Sequence, residues 1–215
     1  MALRAVVLTR STLPTKYRVC MRDVRDKTAS VIAEILSPFV LVGALIAVVA
    51  LRFEDRLALV AGGVLFFLVL VPQALAMWMA HTKRTTDKFI VKREQRHLFY
   101  GLSAGSFLFG LAFTWIVQAS WEVRFSSVYA LGILVVVALI NLRLKISVHA
   151  LAASFVALCV PIVLGYPLVA VALVPAALCV PWARVYQGRH SALEAGSGFG
   201  LGLLAGAAFC ALLLR

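Results

Sequence analysis

Acidic residues are scarce in this chain, with nine Asp and Glu against twenty-one Lys and Arg, and only 14% of its 215 residues are charged. So few charges cannot clothe a water-soluble globule. The composition is 63% hydrophobic with a mean hydropathy of +0.99, and its long apolar runs match the ~30 Å hydrocarbon core of a bilayer. Period-two alternation is absent as well: "LALVAGGVLFFLVLVPQALAMWMA" is apolar on every side. That excludes a β-barrel, the other structure able to satisfy its backbone within lipid. The expected fold is an all-α polytopic transmembrane bundle of six or seven spans.

Other absences narrow the function. Of the four cysteines, Cys159, Cys179 and Cys210 fall within apolar runs and Cys20 lies in the basic N-terminal segment, so neither C-x-x-C nor Cys/His metal spacing occurs. A disulfide framework and a structural zinc are both unsupported. Residues 1–27 contain no apolar signal-peptide core and no cleavage site ahead of a soluble domain, so the first span is expected to direct insertion. No aromatic-basic module points to nucleic acid; the formal charge of +12 is explained by cytoplasmic loops and anionic lipid headgroups. No inverted repeat with paired broken helices points to a secondary transporter. Internal repeats, low-complexity tracts and linkers are absent too, which leaves one domain.

What is present is a series of candidate spans near 31–51, 57–80, 97–118, 127–143, 148–164, 167–183 and 195–214. Residues 1–30 read as a basic interfacial segment and 31–215 as a single transmembrane domain. A kink is expected at Pro38 and a tight turn at Gly165–Pro167.

Polar residues gather in three clusters: "TTDKFIVKREQRH" (85–97), "RLKISVH" (143–149) and "ARVYQGRHSALE" (183–194). Two spans separate each from the next, so all three emerge on one side of the membrane. Lys and Arg at helix ends ordinarily snorkel to headgroups, which accounts for any one cluster alone. It does not account for the histidine in each (His97, His149 and His190) or for the carboxylate of Glu194 four residues after His190. Cations, imidazoles and a carboxylate on one face are the inventory for handling a phosphate group. Were a helix to begin near His190, Glu194 would lie on the same face and accept the imidazole Nδ1–H. Arg184, six residues earlier, would close the sixth span, and "VYQGR" would turn at Gly188.

These clusters resemble the three signatures of the type 2 phosphatidic acid phosphatase family, the membrane branch of the superfamily that includes vanadium haloperoxidases. The third signature is S-R, five residues, H, three residues, D; here Arg184 and His190 match, Ala183 stands for the Ser and Glu194 for the Asp. "KISVHA" resembles the second signature, P-S-G-H, through Ser147 and His149 with Lys145 two before the Ser, while Ile146 and Val148 replace Pro and Gly. The first signature is similar to the R-x-x-R-P variant through Arg93 and Arg96, with His97 in place of Pro. The likeness spans roughly residues 80–210.

The resemblance implies a lipid-phosphate phosphatase with His190, His149 and Glu194 as its catalytic group and Arg93, Arg96, Lys145, Ser147 and Arg184 holding phosphate. It implies no metal and no cofactor. The partners expected are a lipid phosphate substrate and membrane lipids, with no nucleic acid. The alternative is a degenerate member that binds lipid or a partner protein without turnover. Sidedness follows from counting Lys and Arg: seventeen lie on the side of the N-terminus and the clusters, against Arg52, Arg56, Arg124 and Arg215 on the other. The positive-inside rule then puts the clusters on the cytoplasmic face of the cell membrane.

Overall fold

The computed structural model describes the backbone of residues 15–84 and 96–215, and the side chains of residues 24–84 and 97–215. Among these the chain is helical without strands: α1 (Thr15–Ile35), α2 (Pro38–Phe53), α3 (Leu57–Leu65), α4 (Val71–His81), α5 (Arg96–Ile116), α6 (Trp121–Arg143), α7 (Val148–Leu164), α8 (Ala170–Tyr186) and α9 (Ala192–Leu213). Six helical stretches are long and apolar enough to cross a membrane: Val24–Phe53, Leu57–His81, His97–Ile116, Trp121–Arg143, Pro167–Tyr186 and Ala192–Leu213. The fold is a polytopic transmembrane bundle. The seventh expected span, α7, has 17 residues, about 25 Å of rise, and is the most buried helix of the bundle.

The first span begins earlier than the sequence suggests. Helix α1 runs through residue 30 without a break, and the apolar stretch starts at Val24 rather than at 31. The interruption falls one turn later, where Ser37 caps α2, its Oγ accepting from Val40 N, and Pro38 takes the first helical position. Proline there lacks the N–H that would bond back to Glu34 and its ring crowds that carbonyl, so the chain breaks where the kink was expected.

Pro72 has a similar effect. It cannot donate to Leu68, and the residues before it, Phe66–Leu70, widen into a π-turn between α3 and α4. Ser106 of α5 donates its Oγ–H to the Phe67 carbonyl at 2.6 Å, so that this oxygen is satisfied within the apolar interior.

Helix direction alternates, which sorts the loops into two ends. At one end the α2–α3 loop meets the α5–α6 loop: Arg56 Nη2 donates to the carbonyls of Val117 and Gln118, and Ser120 N donates to Glu54 Oε2 at 2.7 Å. At the other end the α6–α7 loop meets the α8–α9 loop, with Ser147 N donating to the Glu194 carbonyl at 3.1 Å. Two of the three polar clusters are thus brought together; residues 85–95 of the first lie outside the described residues.

Helices α7 and α9 run parallel and in close contact, because α8 returns the chain between them. A Cβ at Gly198 would strike the backbone of Ser147, and one at Gly202 would strike Leu151 O and Ser154 Oγ. Small residues spaced by four let two backbones approach in a lipid environment, where van der Waals contact and interhelical hydrogen bonds replace the hydrophobic effect between helices. Ser154 Oγ–H donates across the seam to Phe199 O at 2.7 Å, and Tyr129 of α6 donates to Ala205 O at 2.7 Å. The outer surface carries large apolar side chains such as Ile116, Leu168 and Leu204, suited to lipid contact.

Candidate functional site

The parallel pairing of α7 and α9 puts both of their N-termini at the same end of the bundle. Each terminus carries the positive end of a helix dipole, which favours anions. Helix α7 is capped by Ser147, whose Oγ accepts from Ala150 N at 3.3 Å. His149 follows in the first turn, buried.

Helix α9 begins at Ala192, not at His190. Ser191 is its N-cap and forms a capping box with Glu194: Ser191 Oγ accepts from Glu194 N, and Glu194 Oε2 accepts from Ser191 N at 3.1 Å. His190 therefore precedes the helix, and its approach to Glu194 comes from the capping geometry rather than from a shared helical face. The distance still closes. His190 Nδ1 lies 3.1 Å from Glu194 Oε2, and because an ionised carboxylate only accepts, Nδ1 carries the proton. The imidazole is 3% exposed and the carboxylate 29%, so the ring faces inward while Glu194 looks toward solvent.

The loop preceding α9 is closed by Arg184, which sits in the last turn of α8. Its carbonyl accepts from both Arg189 N and His190 N, and Gly188 adopts φ 66°, the left-handed conformation that the turn requires. The Arg184 side chain is buried and Nη1 donates to Gln187 Oε1 at 3.3 Å. Lys145 reaches the same loop from the α6–α7 side, donating to Arg189 O at 2.8 Å with its Nζ 3.6 Å from Glu194 Oε2.

A cavity of about 240 Å³ runs inward from this end, and His149, Arg184 and His190 line its head. Its walls are otherwise largely apolar, drawn from every helix from α2 to α7, from the π-turn and from α9, and reaching Phe209 and Val123 near the opposite end. A phosphate held beside these cations and helix termini would thus be continuous with a hydrocarbon compartment.

Of the residues expected from sequence, the structure brings together His149, His190, Glu194, Lys145, Ser147 and Arg184. Two have partners that sequence spacing did not suggest: Ser147 spends an oxygen lone pair on the α7 cap and is fully buried, and Lys145 grips the loop and the carboxylate. Arg93 lies outside the described residues, and of Arg96 only the backbone, at the start of α5, is described. Ser191 was not singled out from the sequence, though S-x-x-E ahead of an apolar run is the mark of a capping box. The cavity had no such signal, since its lining comes from eight helices. Among the described residues no three His, Cys, Asp or Glu side chains gather as a metal-binding group. No protein-family model, no curated protein and no solved structure matches this chain.

Proposed function

We propose that this protein is an integral membrane phosphatase that hydrolyses a phosphomonoester or pyrophosphate of a lipid, either a polyprenyl phosphate derivative or a phospholipid precursor, as the resemblance to type 2 phosphatidic acid phosphatases implies. The observation that carries the reading is the meeting of His149, Arg184 and His190 at the head of one apolar cavity, with Glu194 bonded to His190 from behind. Nε2 of His190 attacks phosphorus; an N–P bond forms as the bond from phosphorus to the lipid oxygen breaks. His149 gives its proton to the leaving oxygen. Water then attacks the phosphohistidine, passes a proton to His149, and leaves as inorganic phosphate with the imidazole restored. Glu194 holds the Nδ1–H tautomer and stabilises the cation that forms on His190. Arg184, Lys145 and the two helix N-termini offset charge on the non-bridging oxygens, with Arg93 and Arg96 supplying the first-signature cations.

The test is phosphate release from a panel of lipid monophosphates and pyrophosphates by the purified protein. Turnover is expected in EDTA and is expected to be blocked by vanadate, which mimics five-coordinate phosphorus. Saturable binding of the lipids without release would replace the enzyme with a lipid-binding protein; loss on chelation with rescue by Mg²⁺ would replace histidine chemistry with metal-ion catalysis.

The excess of Lys and Arg on the side of the clusters supports a site on the cytoplasmic face of the cell membrane, with a substrate made and dephosphorylated at the inner leaflet. Single cysteines at Leu193 and Asp55, both exposed and at opposite ends, in a background free of native cysteine, report this with an impermeant maleimide on intact cells. Labelling at Asp55 alone is expected; labelling at Leu193 alone reverses the orientation.

A further inference from the structure

One oxygen of Glu194 is approached from three directions. Its Oε2 accepts from Ser191 N at 3.1 Å and from His190 Nδ1 at 3.1 Å, and Lys145 Nζ lies 3.6 Å from the same atom. A glutamate carries its carboxylate on a longer, more freely rotating stem than the aspartate of the signature this loop resembles. The ammonium of Lys145 competes for it, because an ion pair attracts a carboxylate more strongly than a neutral ring N–H does. Whatever keeps Glu194 behind the imidazole must therefore hold the longer side chain in place. The residue next to His190 does so. Ser191 Oγ accepts from Glu194 N at 3.2 Å, so Ser191 grips Glu194 at its backbone through the hydroxyl and at its carboxylate through the amide.

The same hydroxyl is not what seats the helix. The Glu194 carbonyl accepts from Ser147 N at 3.1 Å, and Gly198 lies against the Ser147 backbone with no room for a Cβ. Both contacts hold α9 on α7 independently of the Ser191 side chain, which is exposed and stands outside the cavity wall.

Resting on the phosphatase reading above, we propose that Ser191 is a positioning residue: its hydroxyl fixes the first turn of α9 so that Glu194 faces His190 rather than Lys145, and through that bond it keeps the His190 proton on Nδ1. Without the hydroxyl the Glu194 N–H turns to water and the carboxylate is released toward Lys145. Losing a serine cap shifts a helix-start equilibrium by about two- to thirtyfold, and the fraction of molecules with Glu194 behind the imidazole falls with it. Because Ser191 does not line the cavity, the loss falls on the chemical step and not on binding.

The experiment compares wild type with Ser191→Ala, Ser191→Gly and Ser191→Thr, measuring phosphate release from dioctanoyl phosphatidate and from geranylgeranyl diphosphate in nanodiscs. Glycine is nearly as good an N-cap as serine for helix stability but has no hydroxyl, so it separates positioning from folding. Ser191→Ala and Ser191→Gly are each expected to lower kcat by about tenfold with KM within about twofold of wild type, while Ser191→Thr, which keeps the hydroxyl, restores kcat to within about threefold. A readout independent of turnover is the imidazole nitrogen NMR spectrum of histidine-labelled protein in alkaline buffer, with the His190 signals assigned by their loss in His190→Ala. Wild type and Ser191→Thr are expected to show the Nδ1–H tautomer alone, and Ser191→Gly a mixture with the Nε2–H form. Wild-type kcat in folded Ser191→Gly, or an unmixed Nδ1–H tautomer in it, overturns the proposal. Should neither these probes nor any other lipid of the panel above release phosphate, the phosphatase reading fails, and the tautomer spectra still decide whether Ser191 orients the pair.

Discussion

Glu54 and Glu194 are the carboxylates of two loop junctions at opposite ends of the bundle, and they are built alike. Each accepts a backbone N–H from its own loop, Arg56 N for Glu54 and Ser191 N for Glu194, and each lies near a cation, Arg56 at 3.8 Å and Lys145 at 3.6 Å. The difference lies in the remaining partner. Glu54 reaches Ser120 N across the end of the bundle, so its bonds close one loop on another and end there. Glu194 reaches the Nδ1 of His190, whose ring turns its other face to the cavity. A carboxylate held by amides and a cation is thus no mark of a site by itself; what separates the two is the histidine standing between the charge and a ligand-sized space.

The sharpest way to break this comparison is to remove the intermediaries. His190→Ala is expected to reduce phosphate release to the level of a membrane blank, and His149→Ala to lower it by about 10²–10⁴-fold, the usual reach of one general acid. Both should leave the melting temperature in detergent near that of wild type. The two glutamates can then be set against each other with the same change. Glu194→Gln keeps a capping-box side chain but loses the charge behind the imidazole, so the expected loss is in kcat with little change in stability. Glu54→Gln should do the opposite, costing about 1.5–3 kcal/mol of stability, the range for bonds to a charged group, while phosphate release per folded molecule is preserved. Equal effects of the two substitutions on kcat would dissolve the distinction.

A smaller and more diffuse effect is expected from the seam that aligns α7 and α9, whose N-terminal ends hold His149 and Glu194. Gly202→Ala puts a methyl against Leu151 O and Ser154 Oγ, and neither α7 nor α9 can retreat without shifting His149 relative to His190. Overpacking of this kind costs about 1–3 kcal/mol. The expected result is a lowered melting temperature together with a fall in kcat, whereas Gly200→Ala, with open space around its Cβ position, should be neutral in both. A Gly202→Ala protein as stable and active as wild type would show that the seam does not set the spacing of the histidines.

The sequence displayed the parts of this molecule that depend on short-range pattern. Apolar run length gave the helices, Pro38 gave the break after α1, and Gly188 gave the turn before His190. The pairing of His190 with Glu194 was also legible, though for the wrong local reason: spacing of four suggested a helical face, and the chain instead uses the capping box of Ser191, which places the two side chains together across a helix start. Lys145 illustrates what spacing cannot reveal. Its nearest partners, Arg189 and Glu194, are more than forty residues away in the chain, and only the parallel packing of α7 on α9 brings them within reach. The cavity is further removed still, because it is a property of eight helices and of no segment.

The end of the bundle away from the histidines offers the mildest test, one that acid alone can apply. Burial pushes the Glu54 carboxyl up, but the Ser120 and Arg56 amides and the Arg56 guanidinium outweigh that and hold it below its ordinary value of 4.5. A carboxyl that is more acidic folded than unfolded stabilises the fold above the unfolded value, and this contribution is lost as pH falls from about 4.5 through the lower, folded value, since the unfolded chain then binds the proton more readily. Wild type should therefore lose stability on acidification in that window more steeply than Glu54→Gln, in which nothing remains at this position to titrate. Melting curves of the two proteins between pH 7 and pH 3 should accordingly converge as the pH falls. Curves that stay parallel over the whole range would mean that the Glu54 brace, for all its short bonds, does not hold the α2–α3 and α5–α6 loops together.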